Sequence, residues 1–216
     1  MRNGLQFLAV AAACFALAAC SSSNENKETA APAVKNEKAP DVFQVNFDTS
    51  KGKVVVEIHR DWAPNGVDHF YTLVKTGFFD GSRFYRTIRN FVAQFGINGD
   101  PKTNRLWASG NIPDDPVKES NVTGTLTYAA TGMPNSRSTQ LFFNLKDNGS
   151  TLDKQGFAPI GKVITGLDVM ESFYTGYGSM PPEGEGPDPG KIGSQGNAYL
   201  ESQFPRLDFI KTATIQ

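Results

Sequence analysis

Two adjacent runs hold the side chains best suited to chemistry. Phe84-Tyr85-Arg86-Thr87-Ile88 sets an arginine among aromatic and aliphatic neighbours, and Phe91-Val92-Ala93-Gln94-Phe95-Gly96 sets an amide in the same surroundings. In an extended strand alternate side chains share a face, which groups Arg86 with Phe84 and Ile88. A guanidinium among apolar groups is costly unless something pairs with it. It therefore serves either a structural salt bridge or a ligand that brings its own acceptor. Other chemistries find little support. No Gly-x-Ser-x-Gly elbow and no phosphate-cradling loop occurs. His59 and His69, the two histidines, fall at a strand end and in a helix beside its apolar stripe, and structural roles suit both better than general base. Cys14 and Cys20, the two cysteines, lie in the first twenty residues, so the folded part offers no disulfide and no thiolate metal site. Asp114-Asp115 and the acidic stretch Glu183-Gly-Glu185-Gly-Pro-Asp188 lack calcium-loop spacing and read as solvated loops. No metal and no cofactor is expected. A net charge of -1 leaves no basic excess for nucleic acid.

These residues need a frame. With 39% hydrophobic and 20% charged residues in 216, the chain can bury one ordinary globular core. Residues 42–48 alternate apolar and polar, 49–52 form a turn, and 53–59 make a second strand, so the domain opens with a hairpin. Pro64 suits the first turn of a helix whose stripe is Val67, Phe70, Tyr71 and Val74, with Gly77 ending it. Further strands are predicted over 83–88, 91–96, 125–130, 140–145, 158–164 and 207–215, a second helix over 167–174, and a Gly/Pro-rich loop over 176–196. The strands arrive as hairpins rather than alternating with helices, which disfavours a doubly wound parallel sheet. The predicted fold is mainly β: a closed eight-stranded antiparallel barrel, filled by side chains and capped by two α-helices.

The first residues read as an address. Arg2 precedes an apolar run over 5–19, too short for a transmembrane helix, ending in Leu17-Ala18-Ala19-Cys20. Small residues before a cysteine resemble the lipobox of bacterial lipoproteins. By that resemblance, residues 1–19 are a signal peptide that is removed, and Cys20 is diacylated. Residues 20–41 then form the lipidated cysteine and a disordered tether: they are polar, hold no aromatic residue and open with Ser21-Ser22-Ser23. This implies a lipid-anchored protein of the bacterial cell envelope, on the periplasmic face of the outer membrane if the organism is Gram-negative. Residues 42–216 are the folded domain, expected to act as a monomer.

The two chemical runs, with Gly99-Asp100, resemble the core motif of cyclophilin-type peptidyl-prolyl cis/trans isomerases, with Tyr85 where the family usually has His. Gly124-Thr-Leu-Thr-Tyr-Ala129-Ala130, Thr139-Gln140-Leu-Phe142-Phe-Asn144, Leu152-Asp153 with Phe157-Ala-Pro-Ile-Gly161-Lys162-Val163, and Gly166-Leu-Asp-Val-Met170 match further family segments in order, so that the likeness covers about residues 42–215. The resemblance implies that Arg86 is the catalytic arginine, that Phe91, Val92, Phe142 and Leu152 line a proline pocket, and that Gln94, Ala129, Ala130 and Gln140 contact the peptide backbone. Phe157 stands at the family's pocket histidine. Thr151 stands where a tryptophan that supports cyclosporin binding is often found, so weak drug sensitivity is expected. The implied activity is rotation about X-Pro bonds of proline-containing polypeptides, assisting exported or envelope proteins. The alternative is a proline-peptide binding module on the same barrel with little turnover, and the retained Arg86 favours the enzyme.

Overall fold

The computed structural model describes residues 35–216. The signal, the cysteines and residues 20–34 of the expected tether lie outside them. Strands β1 (Val42–Thr49) and β2 (Gly52–His59) pair antiparallel from Val42 opposite His59 to Thr49 opposite Gly52. The alternation of β1 buries Phe43, Val45, Phe47 and Thr49 on one face. The Thr49 hydroxyl donates to the Gly52 carbonyl at 2.6 Å and closes the turn.

Helix α1 (Pro64–Lys75) opens with proline, whose fixed φ already suits a helix. Its first N–H groups have no intrahelical acceptor. Those of Asn65 and Gly66 donate to the Asp115 carboxylate at 3.0 and 2.8 Å. Asp115 is buried and paired with the buried Arg137 at 3.0 Å. It is thus a distant helix cap rather than the solvated loop residue its sequence suggests. Asp188, from the other acidic stretch, caps a helix too, accepting the Lys191 N–H at 3.0 Å.

The remaining elements are β3 (Arg86–Ile88), β4 (Val92–Phe95), α2 (Pro101–Trp107), β5 (Thr125–Tyr128), β6 (Leu141–Asn144), α3 (Gly149–Leu152), β7 (Pro159–Thr165), α4 (Leu167–Glu171), α5 (Pro189–Gln195), α6 (Asn197–Gln203) and β8 (Ile210–Ile215). The strands form one antiparallel sheet in the order β3-β4-β6-β5-β7-β2-β1-β8. It curls around its core but does not close. The sequence-based expectation of a closed barrel is therefore corrected to a curled half-barrel. β3 is only three residues long and does not pair with β8, the other edge. The two edges meet just before β3, where Arg83 bridges Phe209 and the Phe84 N–H donates to the Asp208 carbonyl at 2.9 Å.

The two expected helices are α1 and α4, and Met170 of α4 is fully buried. Short helices α2, α5 and α6 occupy stretches that carry no helical periodicity. The core is rich in phenylalanine: Phe47, Phe70, Phe79, Phe95 and Phe143 pack with centroids 5.4–6.4 Å apart, Phe95 and Phe143 stacked face to face and the other pairs edge to face or tilted. Each contributes about 1.5–3 kcal/mol by leaving water. Residues 36–39, inside the stretch read as tether, lie along α1. The Glu37 N–H donates to Thr72 Oγ1 at 2.8 Å and the Ala39 N–H to Asp68 Oδ1 at 2.9 Å. Chain ordered against the domain therefore begins before Val42.

Candidate active site

Strand β4 divides the molecule. Ala93 and Phe95 point into the phenylalanine core, while Val92 and Gln94 point to the opposite face. Period-two geometry dictates this split, and register extends it to the neighbours. Arg86 lies opposite Gln94, Ile88 opposite Val92, and Phe142 of β6 opposite Gln94. The candidate site thus forms on the sheet face turned away from the core. The expected grouping of Phe84 with Arg86 and Ile88 is corrected. The chain before Arg86 is not regular strand, and Phe84 packs inward against Phe95 and Phe173 at 5.3 and 4.4 Å.

A directed chain of hydrogen bonds fixes the polar half of the site. Arg86 Nη1 donates to Gln94 Oε1 at 3.2 Å, Gln94 Nε2 to the Tyr85 hydroxyl at 2.7 Å, and that hydroxyl to Gln140 Oε1 at 2.5 Å. Burial pushes the Tyr85 phenol well above its ordinary range, so it remains a donor at every physiological pH. Burial also lowers Arg86, but a guanidinium stays charged. Its cation lies over the Phe91 ring at 5.5 Å. Among the described residues no carboxylate lies within ion-pair distance of Arg86, whereas Arg60, Arg83 and Arg137 each hold one within 3.3 Å.

The apolar half is a cluster of Val92, Phe142 and Leu152, with Phe91, Ala129 and Phe157 packed against it. Phe142 meets Phe157 edge-on at 5.9 Å. A buried asparagine network underlies this cluster, and nothing in the sequence pattern announces it. Asn144 Nδ2 donates to Thr125 Oγ1 at 2.9 Å, and Asn148 Nδ2 to Asn144 Oδ1 at 2.8 Å and to the Phe91 carbonyl at 3.0 Å. Asn121 Nδ2 reaches the Phe157 carbonyl at 2.8 Å. Backbone on both sides of the cluster is therefore held by side chains whose own polar groups are satisfied.

A groove of about 310 Å³ continues from the cluster, lined by Gln94, Ala129, Ala130, Gln140 and Met180 among others. Gly96 lets its two walls approach. Its φ is +101°, and a Cβ there would collide with the Thr139 carbonyl and stand 2.8 Å from the Gln140 Cα. All ten residues expected at the site are thus brought together: Arg86, Phe91, Val92, Gln94, Ala129, Ala130, Gln140, Phe142, Leu152 and Phe157. Sequence reasoning missed Tyr85 as the link between two glutamines. It also missed Ser179 and Met180, which the loop after α4 carries to the groove from far along the chain.

Sheet and site together define a cyclophilin-like protein. The family model described as cyclophilin type peptidyl-prolyl cis-trans isomerase/CLD matches residues 44–186. A peptidyl-prolyl cis-trans isomerase of Acinetobacter baylyi is 32% identical over 132 residues, covering 60% of this chain and 70% of that protein. Peptidyl-prolyl cis-trans isomerase B of Escherichia coli is 30% identical over 141 residues, covering 60% and 82%. Among solved structures, a cyclophilin type peptidyl-prolyl cis-trans isomerase of Cryptosporidium parvum superposes with TM-score 0.58 at 18% identity, over 81% of this chain and 98% of that one. Cyclophilin AquaCyp293 from Hirschia baltica gives 0.55 at 21% identity, over 87% and 79%. The chain belongs to the cyclophilin-type peptidyl-prolyl cis-trans isomerases, enzymes that rotate the peptide bond preceding proline.

Proposed function

We propose that Arg86 is the catalytic group of this isomerase, that the cluster around Phe142 holds the substrate's proline ring, and that the enzyme works on exported polypeptides at a membrane surface. Rotation about an X-Pro bond is slow because it breaks amide resonance, with a barrier of roughly 18–20 kcal/mol. In the twisted amide the prolyl nitrogen regains its lone pair. A guanidinium can donate to that nitrogen or hold the substrate carbonyl, and a contact that strengthens only on twisting lowers the barrier. The carrying observation is the setting of Arg86: half-buried, beside the apolar cluster, fixed by a neutral amide, with Glu183 near enough to favour its charge but no carboxylate in ion-pair contact to quench it. The wall of Val92, Phe142 and Leu152 would exclude water around the ring, and Gln140 and the backbone near Ala129 would align the flanking peptide.

The Leu17-Ala-Ala-Cys20 sequence supports export and lipidation, and residues 21–35 would give the domain a reach of at most about 50 Å from its anchor. Two experiments test this reading. The full chain should accelerate cis/trans exchange in an X-Pro peptide, and Phe142→Ala should weaken affinity and rate together, because an apolar wall grips ground and transition states alike. A wild-type protein that binds without accelerating exchange would instead be a docking module. Cys20→Ser should lose the acyl mass and leave the membrane fraction, and a wild-type protein with no acyl mass would end the lipid assignment.

A further inference from the structure

The segment between α4 and α5 does more than connect them. Tyr177 and Met180 pack against a second buried cluster containing Tyr85, Ile97, Ile192 and Tyr199. The Tyr177 ring meets Tyr174 and Phe204 edge-on at 4.9 and 5.0 Å. The backbone of the segment folds back on itself, with the Gly186 N–H donating to the Ser179 carbonyl at 2.9 Å and the Gly184 N–H to the Met180 carbonyl at 3.1 Å. A Cβ at Gly184 would collide with the Ser179 carbonyl oxygen, so glycine permits this close turn. Ser179 is therefore presented from a packed frame.

Its hydroxyl faces Arg86. Arg86 Nε donates to Ser179 Oγ at 3.2 Å, on the opposite side of the guanidinium from the Nη1 contact with Gln94. Two neutral acceptors thus fix the plane of the fork, and Nη2 has no protein acceptor among the described residues. The chemistry of the acceptors matters. A carboxylate in place of the hydroxyl would take up much of the positive charge and compete with the substrate, whereas a hydroxyl orients without neutralising.

We propose that Ser179 is a positioning residue for Arg86, holding the guanidinium plane so that its remaining N–H groups face the substrate amide. This rests on the reading of Arg86 as the catalytic group. The test is a mutant cycle on the full chain, with exchange NMR on an X-Pro peptide giving affinity and isomerisation rate. Ser179→Ala should lower the rate about fivefold with affinity nearly unchanged, the size of a partly lost charge-assisted hydrogen bond. Ser179→Thr, which keeps the hydroxyl, should retain most of the rate. In an Arg86→Ala background, Ser179→Ala should have no further effect, because its influence passes through the missing guanidinium. The Arg86 Nε–H resonance should also move in Ser179→Ala and stay in Ser179→Thr. A wild-type rate in Ser179→Ala overturns the proposal while leaving Arg86 intact. An equal fall in both backgrounds also overturns it, by showing that the loop acts on folding alone. Full activity in Arg86→Ala removes the catalytic reading of Arg86 and this inference with it.

Discussion

Tyr85→Phe removes one oxygen and cuts the hydrogen-bond chain at its middle. In the wild type the phenol accepts from Gln94 Nε2 at 2.7 Å and donates to Gln140 Oε1 at 2.5 Å. Gln94 is buried, with 6% exposure, so water cannot readily replace the lost acceptor. The nearest substitute is Gln140 Oε1, at 3.5 Å from Gln94 Nε2, at the outer limit of a hydrogen bond. A buried donor left without a partner costs about 1–3 kcal/mol. The lower half of that range applies because Gln140 can shift toward Gln94, so about 1.5 kcal/mol is expected. For a domain of this size, that lowers Tm by roughly 3–6 °C. Activity should fall as well, by a few-fold, because Gln94 then holds Arg86 less firmly. Thermal denaturation followed by circular dichroism gives the first quantity and exchange NMR the second. An unchanged Tm together with an unchanged rate would refute the reasoning, since the phenol would then be a spectator. A lowered Tm with a full rate would show that the chain stabilises the fold without orienting Arg86.

Two further outcomes follow from particular side chains. Thr151 is exposed in α3, next to Leu152 of the apolar cluster, where the family often carries a tryptophan. Wild type should therefore resist cyclosporin, and Thr151→Trp should tighten inhibition by on the order of 2 kcal/mol, about thirtyfold; tight inhibition of the wild type would contradict this. His69 is buried against Trp107, with Nδ1 2.8 Å from Asn36 Oδ1, and burial pushes its pKa down from 6.5 to about 4. Below pH 6.5 the unfolded chain takes up a proton that the folded one refuses, so this contribution to stability is complete above pH 6.5 and is lost as the pH falls toward 4. Between pH 6 and pH 5 the loss should be about 1 kcal/mol, and His69→Gln should flatten that part of the profile in urea titrations. Identical slopes in both proteins would rule it out.

Much of the fold was legible because one face of each long strand is buried. The alternation in β1 and the proline opening α1 fix those elements within a residue or so. The gathering of Arg86, Gln94 and Phe142 was legible through motif order, yet the face they occupy was not. Leu141-Phe142-Phe143-Asn144 is buried on both sides, so its pattern cannot tell the core from a pocket. Closure is not legible from the number of strands: eight strands can close a barrel, but β3 is three residues long and pairs with β4 and not with β8. Helix α5 escaped notice because Pro189-Gly-Lys-Ile-Gly-Ser-Gln carries two glycines and buries only Ile192. Ser179 escaped for a different reason. Its meaning comes from a contact 93 positions away, and a lone serine in a Gly/Pro-rich stretch carries no periodic signal.

The central claim is that Arg86 acts on the twisted amide more than on the resting one. The most direct measurement is exchange NMR on an X-Pro peptide with wild type and Arg86→Ala, reading affinity and isomerisation rate from the same samples, with circular dichroism confirming that both are folded. A lost charge-assisted hydrogen bond corresponds to roughly a ten- to hundredfold fall in rate, and affinity should change by no more than about threefold. Arg86→Lys should recover little, since a point charge does not reproduce the planar fork. Equal losses of rate and affinity in Arg86→Ala would contradict the claim and make Arg86 a docking residue.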